Sequence, residues 1–251
     1  RSPSSSVAKV KFCIKIKILL FSLHTCHNMS LPKQKGDIDP NEGIEHATAI
    51  AKEISSSPTE SIPDKVYCSP FLRTTHTAAI LGEALAKNIN VEDGLYEWLF
   101  PSLLIDRGGT RTYPEKVSQL KERFDNIDTA YRSFNIIQKD EFPEDETKLI
   151  SRCRNTFEGI LQHAAGDNLA IVSHAPCVQA LAFIMEGEDS TEESKLVKWP
   201  LGGITRFSRD ITNDREKKYG DWRMDFYGDT EHMPGDYKIG AGLWSLPCFQ
   251  K

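Results

Sequence analysis

Four side chains stand out for the chemistry they could carry together: His24, Arg73, Glu97 and His174. An imidazole at His24, at the end of a predicted first strand, could attack phosphorus and form a phosphoenzyme. Arg73 follows a short strand and presents fork-shaped donors that suit a phosphate or a carboxylate. Glu97 lies between Tyr96 and Trp98; burial against those rings would favour its acid form and let it deliver a proton near neutral pH. His174 closes the apolar run LAIVS and stands beside a predicted helix N-terminus, whose free backbone N–H groups favour an anion. Each residue taken alone also has a plainer reading. The histidines fit ordinary loop positions, Arg73 an exposed helix start, and Glu97 a solvated glutamate.

The elements that must position these groups are written in the hydrophobic pattern. Leu169 to Val172 is a continuous apolar run, as a strand buried on both faces of a parallel sheet reads. Pro176 cannot continue a ladder but suits the first turn of a helix running through Val178, Leu181 and Ile184. The same strand, turn and helix unit occurs earlier. Val66 to Cys68 is a strand, Ser69 and Pro70 break it, and Arg73 opens a helix with Thr74, Ala78, Leu81 and Leu85 on its core face. The residues most exposed to chemistry thus fall at carboxyl ends of strands, where open α/β sheets bind ligands.

The remaining pattern completes an alternation of strands and helices. Apolar residues alternate with lysine from Val10 to Ile18, predicting a first strand that ends near Ser22. Ile44, Ala47, Ala51 and Ile54 trace one face of an amphipathic helix. Asn88 to Glu92 predicts a third strand, and residues 102–138 an excursion with short helices that caps a cleft. A long helix starts at Phe142, Pro143 and Glu144. Leu149, Cys153, Phe157, Ile160 and Leu161 form its core stripe, with Glu144, Glu146, Lys148, Arg152 and Arg154 expected outside. Late strands are predicted over 202–207 and 222–226. This order gives an α/β fold, a three-layer α/β/α sandwich with a mostly parallel central sheet. Residues 1–30 form an N-terminal segment holding the first strand, and residues 31–251 the remainder of a single domain.

Composition narrows the partners. A formal net charge of -5, with 39% apolar and 27% charged residues, is ordinary for a globular protein and argues against nucleic acid. The six cysteines lack metal-ligand spacing, which predicts reduced thiols, a cytoplasmic setting and no metal. The apolar run before Ser22 falls short of the roughly 20 residues of a membrane span, although basic residues ahead of ILLFSL also fit a weak signal peptide. The chain opens on Arg1 rather than methionine, which points to a fragment or an altered start. The sequence leaves the oligomeric state open, with Trp244 and Phe249 in the tail as residues that could support a homodimeric self-contact.

The segments VYCSPFLRTTHTAAIL, GLYEW and NLAIVSHAP resemble the histidine phosphatase, or phosphoglycerate mutase-like, superfamily. The runs NIDTAYRSF, FPEDE and GDTEHM resemble its eukaryotic branch with the suppressor of T-cell receptor signalling phosphatases and ecdysteroid-phosphate phosphatase. The likeness covers most of Asp37 to Pro247. It implies a cofactor-independent phosphomonoesterase in which Arg73 binds phosphoryl oxygens, Glu97 donates a proton and His174 stabilises the transferred group. Its substrate would be a phosphorylated small molecule or a phosphoprotein. The sequence departs from the family at the first motif, an Arg-His-Gly triplet carrying the nucleophile. Here Leu23, His24 and Thr25 stand in those places, and His27 replaces an arginine that often follows. His24 keeps the nucleophile slot, but the phosphate-binding arginine and the turn glycine are absent. The sequence therefore leaves three outcomes: a weakened enzyme, a phosphatase-like module that binds phosphorylated or protein partners, or a wrong start or unprocessed exon before about Asn28 that hides a full triplet in the natural protein.

Overall fold

A computed structural model describes residues 15–22, 40–98, 114–136, 143–164, 168–187, 200, 202–210 and 222–235. Its six-stranded sheet comprises β1 (Lys15–Ser22), β2 (Lys65–Cys68), β3 (Ile89–Val91), β4 (Leu169–Ser173), β5 (Ile204–Asp210) and β6 (Arg223–Asp229). The strands lie in the order β3-β2-β4-β1-β5-β6. The first four run parallel, and β5 and β6 add antiparallel to the β1 edge of that set. The helices are α1 (Pro40–Ser55), α2 (Leu72–Leu85), α3 (Val117–Lys121), α4 (Glu146–Ala164) and α5 (Ala175–Glu186).

Alternation along the strands sends successive side chains to opposite faces, and both faces are covered. Val66, Cys68, Ala170 and Val172 pack with Ile50, Ile54, Ala78 and Leu81 of α1 and α2. Tyr67, Leu169 and Ile171 pack with Leu149, Phe157, Val178 and Leu181 of α4 and α5. This is the expected three-layer sandwich. β1 is paired along both edges, parallel to β4 and antiparallel to β5. Among the described residues, no helix is long and apolar enough to cross a membrane.

The helix predictions need two corrections. In α1 the stripe is Ala47, Ile50, Ala51 and Ile54, while Ile44 is 40% exposed. Ile44 lies in the first turn, and Ile50 takes its place on the buried face. Glu144, just ahead of α4, and Arg152 within it are buried rather than outside. Arg152 lies three residues beyond Leu149 and beside Cys153, so helical period places it on the core face. Its charge is met there by Glu144.

The strand ends position the chemistry. Cys68 pairs with Val172, and Ser22 with Ser173, so β1, β2 and β4 finish in register at one edge. The chain leaves β1 through α1 toward β2, and leaves β4 through α5 toward β5 on the opposite face. Adjacent strands whose connections diverge in this way open a crevice at their carboxyl ends.

Candidate active site

Three segments bring polar side chains to that crevice: the turn after β2, the turn after β3 and the turn after β4. His174 follows β4 immediately and caps α5 with extended backbone, φ -107°, and Pro176 occupies the first turn of the helix. Arg73 is the second residue of α2, which starts four residues after β2 ends. Glu97 follows a short helical turn at Asp93–Leu95. From these three origins the side chains meet. Arg73 Nη2 donates to Glu97 Oε2 at 2.8 Å and lies 2.8 Å from His174 Nδ1. His174 Nδ1 is 3.1 Å from the same Glu97 oxygen. His174 is fully buried, whereas the Arg73 and Glu97 side chains keep 9% and 13% exposure. The cluster therefore has an open side at the guanidinium and carboxylate.

Two neighbours compete for Nδ1 of the His174 imidazole. A guanidinium can only donate and a carboxylate only accept, so Nδ1, in reach of Arg73 Nη2 and Glu97 Oε2 alike, accepts from the first in one tautomer and donates to the second in the other. Nε2 lies 2.8 Å from Ser69 Oγ, inside fully buried surroundings. Ser69 is itself fixed, because its carbonyl accepts from the hydroxyls of Thr74 and Thr75 and its N–H donates to Val172 O. The Phe71 ring packs edge-on against His174, with centroids 5.2 Å apart, and lies 5.0 Å from the Arg73 guanidinium carbon. Ser69 and Phe71 thus hold the imidazole beside Arg73 and Glu97.

Glu97 is placed differently from the expectation of an acid set against rings. Its carboxylate meets Arg73, and its other oxygen accepts from the Trp98 N–H at 3.0 Å. The rings of Tyr96 and Trp98 turn instead toward Arg152 and Glu144. Arg152 lies 3.6 Å from the Tyr96 ring centroid, and Trp98 Nε1 donates to Glu144 O at 2.9 Å. Burial acts to lower the Arg152 pKa, but the Glu144 hydrogen bonds and nearby charge outweigh it and hold it above its ordinary value. Beside this clamp lies a cavity of about 580 Å³ lined by Tyr96, Asn135, Glu144, Lys148, Arg152 and Asn155.

Of the four residues read from sequence, the structure brings Arg73, Glu97 and His174 together. His24, with His27, lies outside the described residues, although β1 ends at the edge that carries His174. Sequence reading missed Ser69, Glu92, Glu144 and Arg152. Glu92 is fully buried and accepts from Gly94 N, Phe134 N and the Tyr131 hydroxyl, so it ties the turn after β3 to residues 131–134. Ser69 carried a signal, since it stands directly after a strand in the repeated unit. Among the described residues, no cluster of three or more His, Cys, Asp or Glu could hold a metal ion.

Comparison with known proteins fits this geometry. The chain is 30% identical over 172 residues to Ubiquitin-associated and SH3 domain-containing protein B of Homo sapiens, and 28% identical to that of Mus musculus. The match covers 63% of this chain and only 26% of either relative, so the chain spans about a quarter of their length. Among solved structures it resembles the ecdysone phosphate phosphatase from Bombix mori in complex with tungstate. The TM-score is 0.57 at 13% identity, covering 89% of this chain and 95% of the other. A mycobacterial glucosyl-3-phosphoglycerate phosphatase gives a TM-score of 0.54 at 16% identity, with 87% and 100% covered. At such identities these two establish the shared fold. A family model matches residues 33–229 and contains Arg73, Glu97 and His174, while Leu23, His24 and Thr25 precede it. With most of its length matched in this way, the chain belongs to the histidine phosphatase superfamily, branch 1.

Proposed function

We propose that the chain hydrolyses phosphate monoesters through a phosphohistidine intermediate, with Arg73 and His174 holding the phosphoryl group and Glu97 protonating the leaving oxygen. The observation that carries this reading is the approach of those three side chains to within 3.1 Å of one another from three separate turns. A ligand-free guanidinium is neutralised by Glu97. An arriving phosphoryl dianion competes for the Arg73 donors, and Glu97 then loses its cation and faces added negative charge. Both changes favour a protonated carboxyl, which is the form a general acid needs.

In the roles assigned here, His24 attacks phosphorus in line and the ester P–O bond breaks. Glu97 gives its proton to the departing oxygen, so the product leaves as a neutral alcohol. Water then attacks the phosphohistidine, its proton passes to Glu97, and the P–N bond breaks to release phosphate. The substrate class is a phosphorylated small molecule or a phosphoprotein, and the scheme needs no cofactor. The relatives named for ecdysone phosphate and glucosyl-3-phosphoglycerate support an ester of phosphate. Buried free thiols at Cys68, Cys153 and Cys177 support a reducing, cytoplasmic setting.

A second reading is favoured by one specific observation, the presence of Leu23 and Thr25 where the family carries arginine and glycine. Loss of a preorganised charge-stabilising donor costs on the order of a hundredfold in rate or more, so the same pocket would serve to bind phosphorylated partners. Release of phosphate from p-nitrophenyl phosphate separates the readings. Turnover that falls about a hundredfold in His174→Ala supports the enzyme, and equal rates for both proteins refute it. A rise in melting temperature with tungstate, without turnover, identifies the binding module.

A further inference from the structure

The buried pair of Arg152 and Glu144 has no part in the scheme above, yet it touches both neighbours of Glu97. Arg152 engages Glu144 with two parallel bonds, Nε to Oε1 and Nη2 to Oε2, each 2.8 Å. Its third nitrogen, Nη1, donates to the carbonyls of Gly94 at 2.7 Å and Tyr96 at 3.2 Å. The Tyr96 ring lies against the guanidinium, and the Tyr96 carbonyl also accepts from Cys177 Sγ at 2.9 Å. On the other side of Glu97, the Trp98 indole is held by the Glu144 carbonyl. The residues before and after Glu97 are therefore anchored to α4, to the segment just ahead of it, and to α5.

Stability alone gives no reason for this arrangement, because a buried ion pair replaced by packed apolar side chains is often as stable or more so. What an apolar pair cannot do is grip two backbone carbonyls. A glutamate side chain has three rotatable bonds, and its carboxyl reaches a fixed partner only from a fixed backbone. We propose that Arg152 is a positioning residue for Glu97, acting with Glu144 to lock residues 94–98 so that the Glu97 carboxyl meets Arg73 and His174. This rests on the reading of Glu97 as the proton donor.

Arg152→Lys tests it, because lysine keeps the charge but cannot form the fork. A proton donor matters most when the leaving oxygen is a poor one, so two substrates are compared, p-nitrophenyl phosphate and glycerol phosphate. In Arg152→Lys, kcat is expected to fall about tenfold more on glycerol phosphate than on p-nitrophenyl phosphate, with KM little changed. An equal fall on both, or a change confined to KM, overturns the proposal. Should the lysine variant fail to fold, Trp98→Phe keeps an aromatic ring, smaller by one ring of the indole, while removing the donor to Glu144, and is expected to show the same bias to a smaller degree; no bias there overturns it. If the wild-type protein hydrolyses neither ester, the phosphatase reading fails by itself. The clamp is then read from the carboxyl carbon resonance of Glu97, assigned by its loss in Glu97→Gln. A resonance displaced in Arg152→Lys supports the clamp, and one unmoved overturns it.

Discussion

Ser69→Ala removes the hydroxyl that lies 2.8 Å from Nε2 of His174. Both residues are fully buried, so water does not replace the lost hydrogen bond. Removing one partner of a buried hydrogen bond costs about 1–3 kcal/mol, a sizeable part of the roughly 5–15 kcal/mol that holds a domain folded. For a chain of this size, that corresponds to a fall of about 2–12 °C in melting temperature. The effect on function is separable from the effect on stability. With Ser69 gone, the ring keeps its Nδ1 contacts with Arg73 and Glu97. Losing an anchor worth about 1.4 kcal/mol lowers affinity for a phosphoryl analogue about tenfold. Calorimetric titration with tungstate reads that affinity, and nitrogen-15 NMR of the His174 ring reads which nitrogen carries the proton. If Ser69→Ala binds tungstate as tightly as the wild type and the His174 ring nitrogens keep their wild-type protonation, Ser69 does not orient the imidazole. A lower melting temperature alone would then show only a packing role.

Two further outcomes follow from the structure. A Cβ on Gly94 would collide with the Thr156 side chain. Gly94→Ala is therefore expected to cost about 1–3 kcal/mol in urea denaturation, with part recovered in the double variant Gly94→Ala/Thr156→Ala; additive losses would contradict the assigned contact. His46, His76 and His232 are each held below the ordinary imidazole value, chiefly by burial. The unfolded chain then binds more protons than the folded one once pH drops through about 6.5. Stability should be full above that value and decline as pH falls toward the lowered folded values, with a smaller decline when all three are replaced by glutamine. A urea midpoint that is flat from pH 8 to 5 would refute this.

The most legible parts of the chain were those where local pattern and tertiary role agree. Leu169 to Ser173 is entirely buried and lies between β2 and β1 in the sheet, and Pro176 lies in the first turn of α5 as its fixed φ requires. Arg73 was legible through repetition of the same unit. Side chains whose role depends on a distant partner were not. Ser69 read as a strand breaker because its partner lies 105 residues away. Arg152 was assigned to solvent by its charge, although helical period already set it beside Leu149 and Cys153. Its counter-ion precedes the helix, so no spacing within the helix announced the pair. Glu97 was found for its aromatic neighbours, yet those rings serve the clamp, and the carboxylate faces a guanidinium instead. Pattern reports what an element buries, while the choice of hydrogen-bond partner is made by folding.

The central claim is that Arg73 and His174 enclose one tetrahedral oxyanion site, with Glu97 as the group displaced from Arg73 on binding. A crystal structure of the full chain grown with tungstate measures this directly. The account predicts tungstate oxygens within hydrogen-bonding distance of the Arg73 guanidinium and of a protonated His174 Nδ1, and a Glu97 carboxyl no longer bonded to Arg73 Nη2. Tungstate bound elsewhere, with the contact between Arg73 and Glu97 still at 2.8 Å, would contradict it.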